Sequence, residues 1–204
     1  ELKSRKIEWN EKVEEIRESD DIPIELARVF KEVRHVLPED GILIAGVGPR
    51  HLAAQQFPVY QPNTIMINNG QGTMGFSPPA ALGAKLAAPH KTIINVVGDG
   101  EFRSVSQVLL AAVEQRINVI WLILNNYGFN IIELYQNRHY GRKIGTEFKI
   151  ERDLTPDENE TGPSYNPEFA KVAEAYGAGG STANSIEELQ ESLRLAVEAQ
   201  MPYL

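Results

Sequence analysis

The chain contains no cysteine, which excludes disulfides and thiolate chemistry and leaves the compartment open, with the cytoplasm as the default. Basic residues are also few, with 20 Lys and Arg against 28 Asp and Glu, a net charge of −8 and a pI of about 5.1. This acidic balance argues against nucleic acids and anionic membranes as partners. No apolar run approaches the roughly 20 residues of a membrane span, and no signal peptide is visible. We therefore expect a cytoplasmic protein that binds neither nucleic acid nor membrane.

The residues that are present are typical of a globular protein. Hydrophobic residues make up 42% of the 204 positions, which is an ordinary proportion. A chain of this length predicts one domain, or one domain with an attached piece. Because the chain begins with Glu1 and not with Met, we expect a fragment or a processed product.

Two strongly apolar segments, residues 92–97 and 119–124, organise the middle of the sequence. The first runs into a Gly-Asp-Gly sequence centred on Asp99, and the second runs into two asparagines that end at Asn126. Continuous apolar runs are typical of strands in parallel sheets, which are buried on both faces. Since ligands bind at the carboxyl ends of such strands, Asp99 and Asn126 should stand side by side at one edge of the sheet.

The residues expected at this edge favour a metal and a diphosphate. Carboxylate and amide oxygens such as those of Asp99 and Asn126 suit Mg²⁺ or Ca²⁺, and Mg²⁺ is often completed by phosphates and water. Gly98 and Gly100 would allow close backbone approach of a diphosphate, and a helix starting near Phe102 would offer N–H groups to the anion. The alternative for Gly-Asp-Gly alone is a strand-turn-helix corner with a solvated aspartate, which the second polar strand end disfavours.

At this point the sequence resembles a known enzyme family. Two pieces carry the resemblance at the strand ends: Gly98-Asp99-Gly100 and Asn125-Asn126. Together they look like the thiamine diphosphate motif, and residues 71–84 resemble the segment before that motif in acetolactate synthases, pyruvate oxidases and 2-oxo acid decarboxylases. The resemblance covers about residues 35–204. It implies a doubly wound α/β fold, with a mainly parallel sheet flanked by helices, and the cofactors thiamine diphosphate and Mg²⁺.

The resemblance also assigns roles to individual residues. The metal ligands would be Asp99, Asn126 and the backbone carbonyl of Gly128. Met74 would prop the cofactor into a bent shape, while its N–H and the Gly72 carbonyl hold the aminopyrimidine; the alternative for Met74 is an ordinary core residue. The full set of expected cofactor-binding residues is Gly48, Arg50, Gly72, Thr73, Met74, Gly98, Asp99, Gly100, Glu101, Phe102, Asn126, Gly128, Phe129 and Asn130.

Several positions in this set depart from the family pattern or admit another interpretation. Arg50 follows the strand predicted over residues 42–48 and would contact the diphosphate, or it is a solvated loop residue. His51 lies near the phosphate or caps a short helix, and we favour the cap. Glu101 stands where the family often has a small residue, and we expect only its backbone N–H to matter.

The helices flanking the central unit are predicted from apolar periodicity and turn signals. Residues 1–20 form an amphipathic helix with apolar positions 2, 9, 13 and 16, which we interpret as the tail of a preceding middle domain or a linker helix. Residues 21–204 form the diphosphate-binding domain, whose last strand is truncated at residue 204. Pro23 is expected at an early helical position. Two further expected helices bury Ala80, Ala81, Ala84 and Leu86 in one case, and Val105, Val108, Leu109, Ala112 and Val113 in the other.

The segment after Asn126 has two parts without a settled interpretation. The apolar residues between 132 and 140 shape the substrate side of the site or are packing residues: Ile132, Leu134, Tyr135 and Tyr140. The polar loop at residues 151–163 is a lid, a subunit contact or a mobile surface loop.

One component expected of a thiamine diphosphate enzyme is missing from this chain. In the family, a glutamate that activates the cofactor belongs to a separate pyrimidine-binding domain, so no catalytic residue is expected here beyond Met74 as the prop. We expect that domain in the full-length chain or a partner subunit, and a homodimer or homotetramer. FAD in the full-length enzyme is left open and is not supported by this chain.

The predicted function is that of the diphosphate- and metal-binding domain of an acetolactate synthase-like lyase or transferase. Such an enzyme decarboxylates a 2-oxo acid, or makes or breaks a carbon–carbon bond. The alternatives are a 2-hydroxyacyl-CoA lyase or oxalyl-CoA decarboxylase type of enzyme and, from another class, a non-catalytic α/β nucleotide-binding module.

Overall fold

The computed structural model of the chain describes residues 2–68, 70–150 and 162–204. Four strands form one sheet: β1 (Ile42–Ala45), β2 (Ile65–Ile67), β3 (Ile93–Gly98) and β4 (Ile120–Leu124). Their order is β2-β1-β3-β4, and every neighbouring pair is parallel. The helices of the described residues are α1 (Leu2–Arg17), α2 (Leu26–Val36), α3 (Arg50–Gln56), α4 (Ser77–Ala87), α5 (Asp99–Arg103), α6 (Val108–Gln115), α7 (Asn130–Tyr140), α8 (Phe169–Tyr176) and α9 (Ile186–Glu198).

Helices cover both faces of this sheet because side chains of each strand alternate between two apolar cores. On one face, Ile44 and Val97 pack in a cluster with residues of α4, α5, α6 and α8. On the other face, Leu43 and Val96 pack in a cluster with residues of α2, α3 and α9. Burying each of these aliphatic side chains contributes about 1.5–3 kcal/mol. The predicted doubly wound α/β fold is therefore confirmed.

The strand order creates a crevice at one edge of the sheet. The chain passes from β1 to β2 on one side and then crosses to β3 on the other side of β1. The direction of winding therefore reverses between β1 and β3, and open α/β sheets bind ligands outside the carboxyl ends of the strands at such a switch point. The loop after β1, which begins at Gly46, and α5, which begins at Asp99 directly after β3, flank this point.

The last described residues add a short pairing outside β4. Tyr203 forms parallel bridges with Ile120 and with Gly179, and its N–H donates to the Val119 carbonyl at 2.9 Å. This agrees with the predicted entry into a further strand over residues 201–204. Continuation of the sheet beyond residue 204 stays a prediction.

Two helix starts differ from the sequence prediction. Pro23 lies outside α2, which begins at Leu26 after an extended Glu25, because Arg28 holds the preceding turn through bonds to the Ser19 carbonyl and the Asp20 carboxylate. The helix expected near Phe102 is two helices: α5 begins at Asp99 and stops before Ser104, and α6 begins at Val108.

The break between α5 and α6 has a local cause. The Ser104 hydroxyl donates to the Glu101 carbonyl at 2.7 Å, and this type of side-chain bond competes with continuation of a helix. Val108, Leu109 and Ala112 are buried as expected.

The predicted apolar face of α4 is partly wrong, and the apolar stripe of α1 is mostly exposed in this chain. In α4, Ala81 and Ala84 are buried, but Leu86 lies on the opposite side of the helix and is exposed. In α1, Val13 is buried, whereas Leu2, Trp9 and Ile16 of the expected stripe are exposed. The placement of residues 1–20 as the tail of another domain stays a prediction.

Candidate functional site

The ends of β3 and β4 lie side by side at the crevice. Gly98 is the register partner of Leu124, so the next residue of each strand, Asp99 and Asn125, project from the same edge. Asp99 is only 1% exposed, and its Oδ1 accepts a 2.7 Å hydrogen bond from the Gly100 N–H. The predicted juxtaposition of the two polar strand ends is therefore present.

The loop after β4 wraps around the Asp99 carboxylate. Backbone N–H groups of Tyr127 and Gly128 also hydrogen-bond to this carboxylate. Burial raises the pKa of Asp99 above its ordinary value, and the hydrogen bonds from Asn166 and from three backbone N–H groups only partly oppose that rise. The site thus concentrates donors around one buried acid.

Asn166 is a member of this site that the sequence analysis missed. Its Nδ2 donates to Asp99 Oδ2 and to Asn125 Oδ1, each at 2.6 Å. Asn126, the predicted metal ligand, is exposed beside this pair. No motif marks Asn166, which precedes α8 and lies 67 positions from Asp99, so only the tertiary fold reveals the contact.

Arg103, which stacks on Phe148, holds Asn166 in place. The Arg103 Nη1 donates to Asn166 Oδ1 at 3.1 Å, and the guanidinium carbon lies 4.0 Å from the centre of the Phe148 ring. Cation–π contacts of this kind are worth about 0.5–1 kcal/mol at exposed sites. The segments on both sides of residues 151–161 therefore reach the Asp99 edge, but the role of the 151–163 loop falls largely outside the described residues and stays a prediction.

Gly100 and Gly128 are glycines for reasons of protein packing. A Cβ on Gly100 would lie 2.5 Å from Phe129 Cε1, and a Cβ on Gly128 would lie 2.6 Å from the Thr146 carbonyl oxygen. The Phe129 N–H donates to that same carbonyl at 2.7 Å. Close approach of a diphosphate is thus not needed to explain Gly100.

Gly48 and Gly98, in contrast, border open space. A Cβ at either position would meet no protein atom within 4 Å, and both residues follow or end strands that flank the switch point. These two glycines leave room at the crevice for a group that approaches the backbone.

The turn before α4 lies against Arg50. Gly72 has a φ of +62°, and a Cβ there would collide with the Arg50 guanidinium, whose Nη1 donates to the Asn68 carbonyl at 2.6 Å. The alternative of a purely solvated Arg50 is therefore wrong, since the side chain braces this turn. Thr73 is exposed. Met74 is 42% exposed, so it is not a core residue of this chain.

The side chains of Glu101 and Phe102, two residues of the expected cofactor-binding set, are buried in protein contacts. Phe102 is fully buried and packs against Trp121 and Phe169, so only its backbone can face a ligand. The Glu101 side chain was expected to be unimportant, but its carboxylate accepts bonds from Val47 and Ser77. These side-chain contacts were not predicted, because their partners are distant in sequence, and the expected backbone contacts of both residues with the cofactor stay a prediction.

Beyond Asn130 the chain exposes an apolar helix. None of the residues of α7 is buried, and the exposed apolar side chains are Ile131, Ile132, Leu134, Tyr135 and Tyr140. Packing within the described part of the chain therefore does not explain them.

His51 is exposed in the first turn of α3 and makes no cap hydrogen bond, so the favoured cap role is not observed.

The chemistry of the site fits a hard divalent cation with few protein ligands. Among the described residues, no group of three or more His, Cys, Asp or Glu side chains could hold a metal. A metal at this edge would therefore have Asp99 as its single carboxylate, with amide and carbonyl oxygens beside it. Mg²⁺ tolerates such a set, because it keeps several waters and takes phosphate oxygens as ligands.

In the same described ranges, no helix has the length and hydropathy required to cross a membrane.

Comparison with known proteins identifies relatives along most of the chain. It is 31% identical over 210 residues to a probable acetolactate synthase large subunit of Methanocaldococcus jannaschii, covering 96% of this chain and 33% of the relative. It is 31% identical over 176 residues to a catabolic acetolactate synthase of Raoultella terrigena, covering 86% and 29%. It is also 32% identical over 162 residues to a 3D-(3,5/4)-trihydroxycyclohexane-1,2-dione hydrolase of Bacillus subtilis, covering 79% and 24%.

A solved structure shares the fold. The thiamine diphosphate-dependent 4-hydroxybenzoylformate decarboxylase of Rhodococcus jostii superposes with a TM-score of 0.75 at 24% identity, covering 89% of this chain and 32% of that chain. The present chain thus spans about a third or less of the length of these proteins. The family described as "Thiamine pyrophosphate enzyme, C-terminal TPP binding domain" matches residues 46–204. The chain belongs to this family, the C-terminal thiamine pyrophosphate (thiamine diphosphate) binding domains.

Proposed function

We propose that this chain provides the diphosphate- and metal-binding half of the active site of an acetolactate synthase-like enzyme. The observation that carries the proposal is the position of Asp99, a buried carboxylate at the tip of β3 beside the asparagines that follow β4. The space bordered by Gly48 and Gly98 supports it. The acetolactate synthase relatives support the reaction class, which is decarboxylation of a 2-oxo acid or the making and breaking of a carbon–carbon bond.

In this proposal, the residues of the crevice bind and orient thiamine diphosphate with Mg²⁺. Asp99, the Asn126 side chain and the Gly128 carbonyl hold the metal, and Asn166 gives up its bond to Asp99 Oδ2 when the metal binds. Arg50 and the backbone around Gly48 and Gly98 face the diphosphate. Charge-assisted contacts from an arginine suit this anion.

The pyrimidine end of the cofactor would lie against the turn before α4. The Gly72 carbonyl and the Met74 N–H are proposed to hold the aminopyrimidine, and the exposed Met74 side chain is proposed to support the bend of the cofactor. The turn itself is braced by Arg50 and by the bond from Asn68 Nδ2 to the Thr73 carbonyl. When bound, thiamine diphosphate supplies the carbanion stabilisation that the reaction requires.

The active site is proposed to be completed by a pyrimidine-binding domain elsewhere in the full-length chain or in a second subunit of a homodimer or homotetramer. The exposed apolar face of α7 supports this proposal, because contiguous exposed apolar surface marks an interaction site. The chain covers only 33% and 29% of the length of the two acetolactate synthase relatives, which is in agreement with additional domains in the full-length protein.

A second reaction is favoured by a specific similarity. The Bacillus subtilis relative is named as a hydrolase of a cyclic 1,2-dione and is as similar to this chain as the synthases are. Hydrolytic cleavage of a dione is therefore the second candidate, while an acyl-CoA lyase or decarboxylase is a third candidate without a supporting observation. Incubation of the protein with pyruvate and with a cyclic 1,2-dione separates the first two, since only the first releases CO₂.

Calorimetry on the full-length protein tests the cofactor proposal. Thiamine diphosphate should bind in the presence of Mg²⁺ and lose affinity when Mg²⁺ is chelated, whereas ADP with Mg²⁺ should not bind. In Asp99→Asn the affinity for thiamine diphosphate should fall at least about 100-fold, because a buried charge–metal contact of several kcal/mol is lost. Asp40→Asn, at an exposed turn, is the matched control and should bind normally. Tight ADP binding without thiamine diphosphate binding would instead identify a nucleotide-binding module.

A further inference from the structure

Glu101 is a buried acid in the described part of the chain that the proposed cofactor contacts do not explain. It is 3% exposed and lies in α5, two residues after Asp99. A carboxylate in such a position is costly to bury unless hydrogen bonds satisfy both of its oxygens. The contacts of those two oxygens therefore indicate what the side chain does.

The two oxygens bind two other segments of the crevice. Glu101 Oε2 accepts from the Val47 N–H at 2.8 Å, and Oε1 accepts from the Ser77 N–H at 3.1 Å and from the Ser77 hydroxyl at 3.0 Å. Val47 belongs to the loop after β1, and Ser77 begins α4 directly after the turn that carries Met74. One carboxylate thus joins the loop, the turn and the Asp99 segment.

The surroundings of Glu101 are shaped to accept this side chain. A Cβ on Gly46 would lie 2.5 Å from Glu101 Oε2 and 2.8 Å from Ser77 Oγ, so a glycine is needed there. Ser77 is fully buried, and its position at the first turn of α4 places a negative charge near the positive end of that helix dipole. The cluster of Gly46, Glu101 and Ser77 is therefore a packed, specific contact.

Three donors meeting two oxygens require a carboxylate and not an amide. In glutamine, the NH₂ group would face either the Val47 N–H or the Ser77 N–H, and one of these backbone bonds would be lost. A buried donor left without an acceptor costs more than the hydrogen bond was worth. The isosteric Glu101→Gln change therefore loosens the contact without leaving a cavity.

We propose that Glu101 is a positioning residue that sets the spacing between the loop at Val47, the turn before Ser77 and the Asp99 tip. The inference rests on the proposed function, in which the loop and the Asp99 tip hold the diphosphate end of the cofactor and the turn holds the pyrimidine end. In this proposal the Glu101 side chain, whose oxygens are taken up by Val47 and Ser77, touches neither the cofactor nor the metal. It acts by keeping the backbone groups that do so at a distance that matches the length of the cofactor.

The test compares cofactor binding by the full-length wild-type protein, Glu101→Gln and the control Glu114→Gln, whose side chain is exposed on α6. The probe is thiamine diphosphate with Mg²⁺, titrated by calorimetry well below the melting temperature of each variant. Glu101→Gln should raise the dissociation constant about tenfold, the factor expected for loss of one charge-assisted bond. The control should bind as the wild type does.

Steady-state kinetics separate positioning from a merely structural role. In Glu101→Gln the KM for thiamine diphosphate should rise about tenfold, while kcat at saturating cofactor stays within about twofold of wild type. A variant that melts earlier but binds the cofactor with wild-type affinity overturns the inference. A wild-type protein that does not bind thiamine diphosphate overturns the proposed function instead.

Two further variants test the geometry even if Glu101→Gln folds poorly. Ser77→Ala removes only the hydroxyl bond and should weaken binding about threefold. Gly46→Ala should weaken binding at least as much as Glu101→Gln does, because its methyl group would displace Glu101 Oε2 and crowd Ser77 Oγ. Adding it to Glu101→Ala should have a smaller further effect, since the contact with Oε2 is then absent. Independent effects of the Gly46 and Glu101 changes would contradict the proposed contact.

Discussion

Replacing Gly100 by alanine should destabilise the protein even without cofactor. The new Cβ would lie 2.5 Å from Phe129 Cε1, 2.7 Å from Phe129 Cδ1 and 3.2 Å from Phe148 Cζ. The Phe129 and Phe148 rings already pack edge to face, with centroids 4.9 Å apart. The Phe129 ring therefore has to move, and it cannot do so without disturbing its contact with Phe148.

The magnitude follows from two opposing effects at Gly100. Alanine is favoured over glycine inside a helix by about 0.8–1 kcal/mol, whereas overpacking a filled site costs about 1–3 kcal/mol. The net expectation is a destabilisation of up to about 2 kcal/mol. In a Phe129→Ala background the methyl group has room, so the same Gly100→Ala change should be neutral or stabilising by up to about 1 kcal/mol.

Urea unfolding of wild type, both single variants and the double variant measures this coupling. Fluorescence of Trp121, which is fully buried in the core, can follow unfolding of this domain. We expect an interaction energy of about 1–3 kcal/mol between positions 100 and 129. Additive effects, or a stabilised Gly100→Ala protein in the absence of cofactor, would refute the reasoning and would indicate that Gly100 serves only the approach of a ligand.

Two further predictions concern parts of the chain outside the crevice. Burial disfavours the charged form of Glu32, but hydrogen bonds from Gln190, Arg28 and His35 and the charge of Arg28 outweigh it and lower the pKa of this carboxyl. The ion pair with Arg28 therefore stabilises the fold above the ordinary glutamate pKa of about 4.3 and is lost as the pH falls through the lower folded-state value. Glu32→Gln should lower the free energy of unfolding by about 3 kcal/mol at pH 7 by leaving Arg28 partly unpaired. In urea titrations from pH 7 to pH 3, the free energy of unfolding of this variant should fall less with decreasing pH than that of the wild type. An equal fall in the two proteins would contradict the prediction. On α7, Leu134→Glu should change stability by no more than about 0.5 kcal/mol but shift the full-length protein towards smaller assemblies in sedimentation experiments. Leu86→Glu, at a similarly exposed leucine on α4, is the control and should not. Unchanged assembly of Leu134→Glu would argue against α7 as an interface.

The fold was predictable from the sequence because β1 and β3, the central strands of the sheet, are buried on both faces. Residues 92–97 and 119–124 are mainly apolar, with Asn95 as a polar residue inside the first run. The polar residues that follow the two runs mark the crevice in the sequence itself. The order of the four strands was not predicted, and it follows from the crossovers between them. The predicted helix boundaries were wrong where a single side chain interrupts a helix, as the Ser104 hydroxyl does by binding the Glu101 carbonyl.

The parts of the site that were missed depend on contacts between distant residues. Glu101 binds Val47 across 54 positions, and Asn166 reaches Asp99 across 67 positions. No motif marks Asn166, and the Gly-Asp-Gly sequence before Glu101 does not reveal the role of its side chain. Both roles depend on how segments from different strands meet at the sheet edge. Periodicity correctly predicted burial of Val108, Leu109 and Ala112 in α6, but it assigned Leu86 to the wrong side of α4.

The most direct test of the account is the position of the metal in crystals of the full-length protein grown with thiamine diphosphate and Mn²⁺. We predict an anomalous scattering peak at about 2.1 Å from Asp99, Asn126 and the Gly128 carbonyl, close to the distance usual for Mg²⁺, with Asn166 moved away from Asp99 Oδ2. A metal and diphosphate bound elsewhere, with Asp99 still bonded to Asn166, would contradict it.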